Sequence, residues 1–225
     1  MPVAVLADAH LSGPGGDPAP LLAQLAELPE RGVRSLVLLG DLFQAWVGYP
    51  QFETAEIRAV VAALAGLRRR GVRVSYVEGN RDFFLGAGRY REAFDDVGSE
   101  TRFETGGRRF LAVHGDGLND RDWQYRAWRS LSKSAVSRFL IRNLPPRLAG
   151  RMVHGTERRL SGTNFKHRAR IPEEAIRAYA ATRLAEGFDV LLLGHFHEPR
   201  TWRVGAGEVR LLEAWFSSRR IELLD

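Results

Sequence analysis

Seven residues in five short segments have side chains that bind divalent metals: Asp8-x-His10, Asp41, Asn80, His114 and His195-x-His197. All offer oxygen or imidazole nitrogen. That set suits Mn, Fe, Co or Zn, whereas magnesium prefers more oxygen. The chain has no cysteine, which excludes a thiolate zinc site, an iron–sulfur cluster and a disulfide framework. Singly, each residue has an ordinary explanation: Asp-x-His as a surface or capping pair, Gly40-Asp41 as a turn, Asn80 as a helix cap, His114 or His195 as a satisfied buried histidine. Together they follow five separate apolar runs. Two metals about 3.5–4 Å apart can clamp a phosphoryl group and bind the water that attacks it. Such a pair needs a shared carboxylate, and Asp41 is the candidate.

These side chains need a scaffold. Residues 3–7, 35–39, 72–77, 109–113 and 188–193 read as buried strands. Helical spacing covers residues 21–28, 54–70 and 171–185; Gly71 is a natural stop, and Pro172-Glu173-Glu174 suits a first turn. Alternating strands and helices predict a largely parallel core sheet with helices outside, and ligands beyond the carboxyl ends of its strands. Short alternating runs at 201–204, 208–212 and 219–223 suit antiparallel strands. Glycines beside Asp41, Asn80 and His195 permit tight turns and close approach of backbone to a ligand.

Charge is uneven. From Asp120 to Arg170 there are thirteen Arg or Lys against three Asp or Glu, a net of +10 in a chain that totals +6, so the remainder nets −4. Trp123, Tyr125, Trp128, Leu131, Val136, Phe139, Leu140, Ile141 and Leu144 recur there at roughly helical intervals, until Pro145-Pro146 breaks the pattern. Residues 119–170 therefore read as a basic helical lid inserted into a single domain spanning 1–225. Most of its residues also fit an ordinary amphipathic hairpin, and His154 has no assigned role. The field favours nucleic acid, anionic lipid or polyphosphate. Nucleic acid is disfavoured because no recognised binding motif accompanies the charge. No apolar run is long enough to span a bilayer, and the first residues show neither a basic region nor a cleavable apolar stretch. A cytoplasmic chain, attached to membranes at most peripherally, is expected.

The ordered series Asp8-Ala-His10, Gly40-Asp41, Gly79-Asn80-Arg81-Asp82, His114-Gly-Asp116 and Gly194-His-Phe-His197 resembles the calcineurin-like metallophosphoesterase superfamily. The resemblance covers the whole chain. It implies an α/β fold, a two-sheet αββα sandwich rather than a single sheet. It implies two divalent ions, with Mn(II) expected. One ion takes Asp8, His10, Asp41 and His197; the other takes Asp41, Asn80, His114 and His195. Within the superfamily, Arg81-Asp82 after Asn80 and the basic insertion after His114 resemble the UDP-2,3-diacylglucosamine pyrophosphatase family of lipid A synthesis. That implies hydrolysis of an acylated nucleotide sugar at the cytoplasmic face of the inner membrane. Arg81 is then the catalytic group that binds phosphate oxygen, with Asn80 and His195 also touching substrate. Asp122 matches a lid residue that contacts substrate in that family. Ser161, Asn164 and Lys166 match at altered spacing, and His167 is another occupant for the lysine's place. Asp82 and Asp116 are expected to orient ligands rather than bind metal. A different phosphohydrolase and a noncatalytic scaffold on the same fold are the competing readings.

Overall fold

The computed structural model describes residues 1–11, 16–87, 89–118, 123–145, 148, 151 and 171–225. Strand β1 (Val3–Leu6) is buried along its length. Because side chains alternate, its two faces enter different layers. Ala4 and Leu6 pack with helix α1 (Ala19–Glu27) and helix α2 (Ala55–Arg69), whereas Val3 and Val5 pack against a second sheet. The same division recurs in β2 (Ser35–Leu38), where Leu36 and Leu38 face the helices and Val37 faces the other sheet.

The first sheet runs β12-β1-β2-β4-β6, with β4 at Arg73–Val77, β6 at Asp96–Gly98 and β12 at Glu222–Leu224. Strands β1, β2, β4 and β6 are parallel, and β12 is antiparallel to β1. The second sheet runs β10-β11-β9-β8-β7. Its strands are β7 (Glu100–Thr105), β8 (Arg108–Val113), β9 (Val190–Leu193), β10 (Arg200–Val204) and β11 (Gly207–Leu211). Strands β8, β9 and β11 are parallel, with antiparallel edges. Phe110, Ala112, Val190 and Leu192 fill the space between the sheets, while Leu111, Leu191 and Leu193 pack with Ile176 and Ala180 of a helix at Glu173–Leu184. The layers are therefore helix, sheet, sheet, helix.

This corrects the single-sheet expectation. A strand buried on both faces does not reveal whether a helix or a sheet covers each one. The tail is corrected in part as well: β10 is antiparallel to β11, but β11 pairs with β9 in parallel. A small parallel pair, β3 (Trp46–Val47) with β5 (Asp82–Phe83), links the loops that follow β2 and β4.

Helix α2 shows how local signals set an element. Thr54 caps it by accepting a hydrogen bond from the Ile57 N–H at 3.3 Å, Glu56 lies in its first turn and Arg68 and Arg69 in its last. Ile57, Val60, Leu64 and Leu67 form its buried stripe.

In the expected lid, two helices are described: α3 (Trp123–Ser132) and α4 (Ala135–Asn143), the latter capped by Ser134, which accepts from Ser137 N–H. Helix α4 buries none of its residues. Asp122, His154, Ser161, Asn164, Lys166 and His167 lie outside the described residues. Among those described, no helix is long and apolar enough to cross a membrane.

Candidate metal centre

The five segments converge. Asp8 follows β1, Asp41 follows β2, Asn80 follows β4, His114 follows β8 and His195 follows β9. All five strands have a parallel neighbour, and the site sits beyond their carboxyl ends. The backbone there is strained. Asp8, His10, Asp41, His195 and His197 have φ of 52°, 47°, 53°, 66° and 61°. Left-handed backbone is uncommon outside glycine and persists only where surrounding contacts hold it. Here Asp8 N–H donates to the Gly40 carbonyl at 3.2 Å and His10 N–H to the Asp41 carbonyl at 3.0 Å, so the first two loops run as a pair.

Two ligand clusters result. Asp8, His10 and His197 form one, and Asp8, Asp41 and His114 the other, with the ligand atoms in each within 4.8 Å of one another. His10 Nε2 and His197 Nε2 are 3.3 Å apart, and His197 Nε2 lies 3.1 Å from Asp8 Oδ1. In the second cluster His114 Nε2 lies 3.3 Å from Asn80 Oδ1 and 3.7 Å from Asp41 Oδ2. The His195 ring packs edge-on to His114 with centroids 5.2 Å apart, and its backbone N–H donates to Asp8 Oδ2 at 2.8 Å. The two histidines of the His195-x-His197 pair thus turn to different clusters.

The residues present fit metal ions. His114 Nδ1 lies 2.6 Å from the Leu39 carbonyl, an acceptor only, so Nδ1 carries the hydrogen and Nε2 turns a lone pair toward Asn80 and Asp41. Buried Asp41 Oδ2 accepts no hydrogen bond. Electron-rich atoms gathered this closely need a cation. Burial lowers the pKa of His114, but Asp41, Asp8 and Asp116 outweigh it and push it up to about 8. Burial likewise opposes ionisation of Asp8, yet its hydrogen bond to His197 and the charges of His114, His197 and His10 hold it well below the usual carboxylate range. The glycines are close-approach positions: a Cβ on Gly79 would lie 2.3 Å from Asp41 Oδ1, and one on Gly40 (φ 77°) 2.6 Å from Gly79 N.

Asp82 Oδ2 accepts from Asp41 N–H and from Gly79 N–H, each at 2.8 Å, tying two ligand loops together. Burial and the charge of Asp41 push its carboxyl up to about 7 against those bonds. Arg81 lies beside Asp41, its Nε 3.5 Å from Oδ2 and its backbone N–H donating to Oδ1 at 2.8 Å. Asp116, two residues after His114 and expected to orient a ligand, accepts from Tyr125 Oη at 2.8 Å and from Arg129 Nε, both on α3. Burial opposes its ionisation, while His114 and Arg129 bring it down to about 2.

Several contacts around the site carry no signal in the residue spacing. Gln44 accepts from Arg81 Nη1 at 2.8 Å and donates to the His10 carbonyl at 3.3 Å, joining arginine to ligand loop. Lys133, between α3 and α4, donates to the Gly79 carbonyl at 2.7 Å. Tyr125 and Arg129 fasten the same lid helix to Asp116. Helix α3 and the turn after it are therefore clasped to the loops that carry Asn80 and His114. Trp128 adds an edge-on contact to Phe83, centroids 6.4 Å apart.

Strained, buried ligand clusters at the strand ends of this sandwich define a metal-dependent hydrolase acting on phosphoesters, with two adjacent metal sites. A family model described as calcineurin-like phosphoesterase matches residues 1–199, and the chain belongs to that family. A UDP-2,3-diacylglucosamine hydrolase of Ralstonia nicotianae is 32% identical over 225 residues, covering 95% of this chain and 84% of the relative. A protein of the same name from Azotobacter vinelandii is 31% identical over 205 residues, covering 88% and 83%.

Proposed function

We propose that this enzyme hydrolyses the diphosphate of UDP-2,3-diacylglucosamine, giving UMP and 2,3-diacylglucosamine 1-phosphate. The carrying observation is the juxtaposition of two ligand clusters with a basic, apolar-faced lid clasped directly to their loops. The whole-chain likeness to hydrolases named for that substrate supports it. In this reading Asp8, His10, Asp41 and His197 hold one divalent ion, and Asp41, Asn80, His114 and His195 the other. Asp41 is the shared ligand of this reading, with a buried carboxylate oxygen, Oδ2, that accepts no hydrogen bond, while the two clusters as they stand meet at Asp8. Mn(II) suits the mixed oxygen and imidazole set. When bound, two such ions supply Lewis-acid charge and lower the pKa of an attacking water.

The chain's own part is positional and electrostatic. Gln44 fixes one Arg81 nitrogen, so the guanidinium is held beside Asp41 and offers its remaining N–H groups to a phosphate oxygen. The Leu39 carbonyl keeps the hydrogen of His114 on Nδ1 and leaves Nε2 free to ligate. Asp82 keeps the Asp41 and Asn80 loops in register. Asp122, Ser161, Asn164, Lys166 and His167 are assigned to substrate in the lid. Leu131, Val136, Phe139 and Leu140 are exposed beside Arg138 and Arg142, a combination that suits peripheral contact with an anionic bilayer at the cytoplasmic face.

The test is an assay of purified protein with UDP-2,3-diacylglucosamine, Mn(II) and detergent, following UMP. Release of UMP is expected. No release, alongside robust hydrolysis of a simple phosphodiester, would transfer the reading to another phosphoester substrate.

A further inference from the structure

The large exposed apolar side chains of the described residues fall in three places. Leu131, Val136, Phe139, Leu140 and Leu148 belong to the lid segment, Met1 is terminal, and Phe216 stands alone at 39% exposure. Phe216 lies in a short helix, Trp215–Ser218, whose other aromatic residue, Trp215, is fully buried. Its position is set by the metal loops. The Phe216 N–H donates to the Asp8 carbonyl at 3.2 Å, and the Trp215 N–H to the Ala7 carbonyl at 2.9 Å. The ring packs against both histidines of the first cluster, with centroids 5.4 Å from His10 and 5.0 Å from His197.

The lid defines the opposite end. Its clasps reach Asp116, Gly79 and Phe83, which flank His114 and Asn80 of the second cluster. A substrate with an acylated sugar at one end of a diphosphate and a nucleoside at the other must cross both clusters. Its apolar end belongs under the apolar-faced lid. The nucleoside then leaves past His10 and His197, where Phe216 is the exposed ring. A ring on a hydrogen-bonded backbone and already packed against two histidines loses little freedom on stacking. Every base presents a π-face, and stacking on an aromatic side chain contributes about 1–3 kcal/mol per base.

We infer that Phe216 is a stacking platform for the pyrimidine base of the nucleotide half of the substrate, a base subsite at the end of the site away from the lid. This rests on the proposed substrate class. The experiment compares UMP with ribose 5-phosphate, which lacks the base, as ligands of the Mn(II)-loaded full chain by calorimetric titration. UMP is expected to bind about tenfold more tightly. Phe216→Leu, which keeps apolar bulk against the histidines, should remove most of that advantage, and Phe216→Trp should retain it. The ratio is taken within each protein, so a general loss of metal or folding cancels. Equal affinities in the unaltered chain, or an advantage that survives in Phe216→Leu, would overturn the inference. The functional reading fails separately: it falls if the acylated nucleotide sugar is not hydrolysed, even while a Phe216-dependent preference for UMP persists.

Discussion

The sandwich body and helices α3 and α4 treat apolar side chains in opposite ways. The body sorts them by strand parity into three buried layers and confines its charged ligands to loops at one rim. Helix α4 buries nothing and displays Val136, Phe139 and Leu140 beside Arg138 and Arg142. The body is thus specified by its own packing, whereas, among the described residues, α3 and Lys133 are joined to the metal loops by polar clasps. In the proposed reading, reaction class belongs to the first region and choice of substrate to the second. Each expected outcome below tests that division.

The largest effect should come from the ligands. Asp41→Ala and His114→Ala should each lower UMP release by more than the roughly 10–100-fold typical of residues one step removed from a metal. The circular dichroism spectrum should stay native, because each residue sits on a loop outside the three apolar layers. Near-full activity in either variant would remove that residue from the metal centre.

Metal removal should expose the charge balance of the rim. In the metal-free chain the folded-state pKa of His114 is up to about 8 from 6.5, and that of Asp82 up to about 7 from 3.8. Both shifts are upward, so the folded state binds more protons than the unfolded one between about pH 4 and 8. The stability from protonated His114 is full below its unfolded value and lost as pH rises through its folded one. Ionisation of Asp82 adds a cost in the same direction. Asp8 and Asp116 are shifted downward, and their contribution is lost only below the ordinary carboxylate range. Melting of chelator-treated protein should therefore show stability falling by a few kcal/mol at most from pH 5 to 8.5, with Mn(II) reversing the fall. A flat or rising profile would contradict these assignments.

Gln44 separates what was legible in the sequence from what was not. The ligand series and the five principal strands were readable because each strand is an apolar run and each ligand directly follows one. Strand β7, Glu-Thr-Arg-Phe-Glu-Thr, was not, because it is an edge strand with polar residues on its open face. The second sheet was not visible in the strands themselves, since Val3 and Ala4 are both apolar although one meets a sheet and the other the helices. It came only from the resemblance. Gln44, Lys133 and Phe216 act through contacts distant in sequence, which spacing does not reveal. Gln44→Ala should release Arg81 and loosen the His10 loop, lowering turnover about 10–100-fold as supporting residues around a metal do. Gln44→Glu should restore the bond to Arg81. No loss in the alanine variant would leave Arg81 positioned without it.

The smallest folding effect, and the sharpest test of the contrast, lies in the lid. Phe139 is 67% exposed, so Phe139→Ser together with Leu140→Ser removes little buried surface. Surface substitutions of this kind usually change stability by no more than about 0.5 kcal/mol. Trp46 is fully buried against Phe43, Tyr76, Tyr90 and Phe94, and Trp46→Ala should cost about 3–5 kcal/mol in urea unfolding. If α4 meets an anionic bilayer, the lid pair should weaken cosedimentation with phosphatidylglycerol vesicles while hydrolysis of a small soluble phosphodiester changes little. Large destabilisation by the lid pair would instead mean that Phe139 and Leu140 pack within the protein, and the two regions would no longer differ in kind.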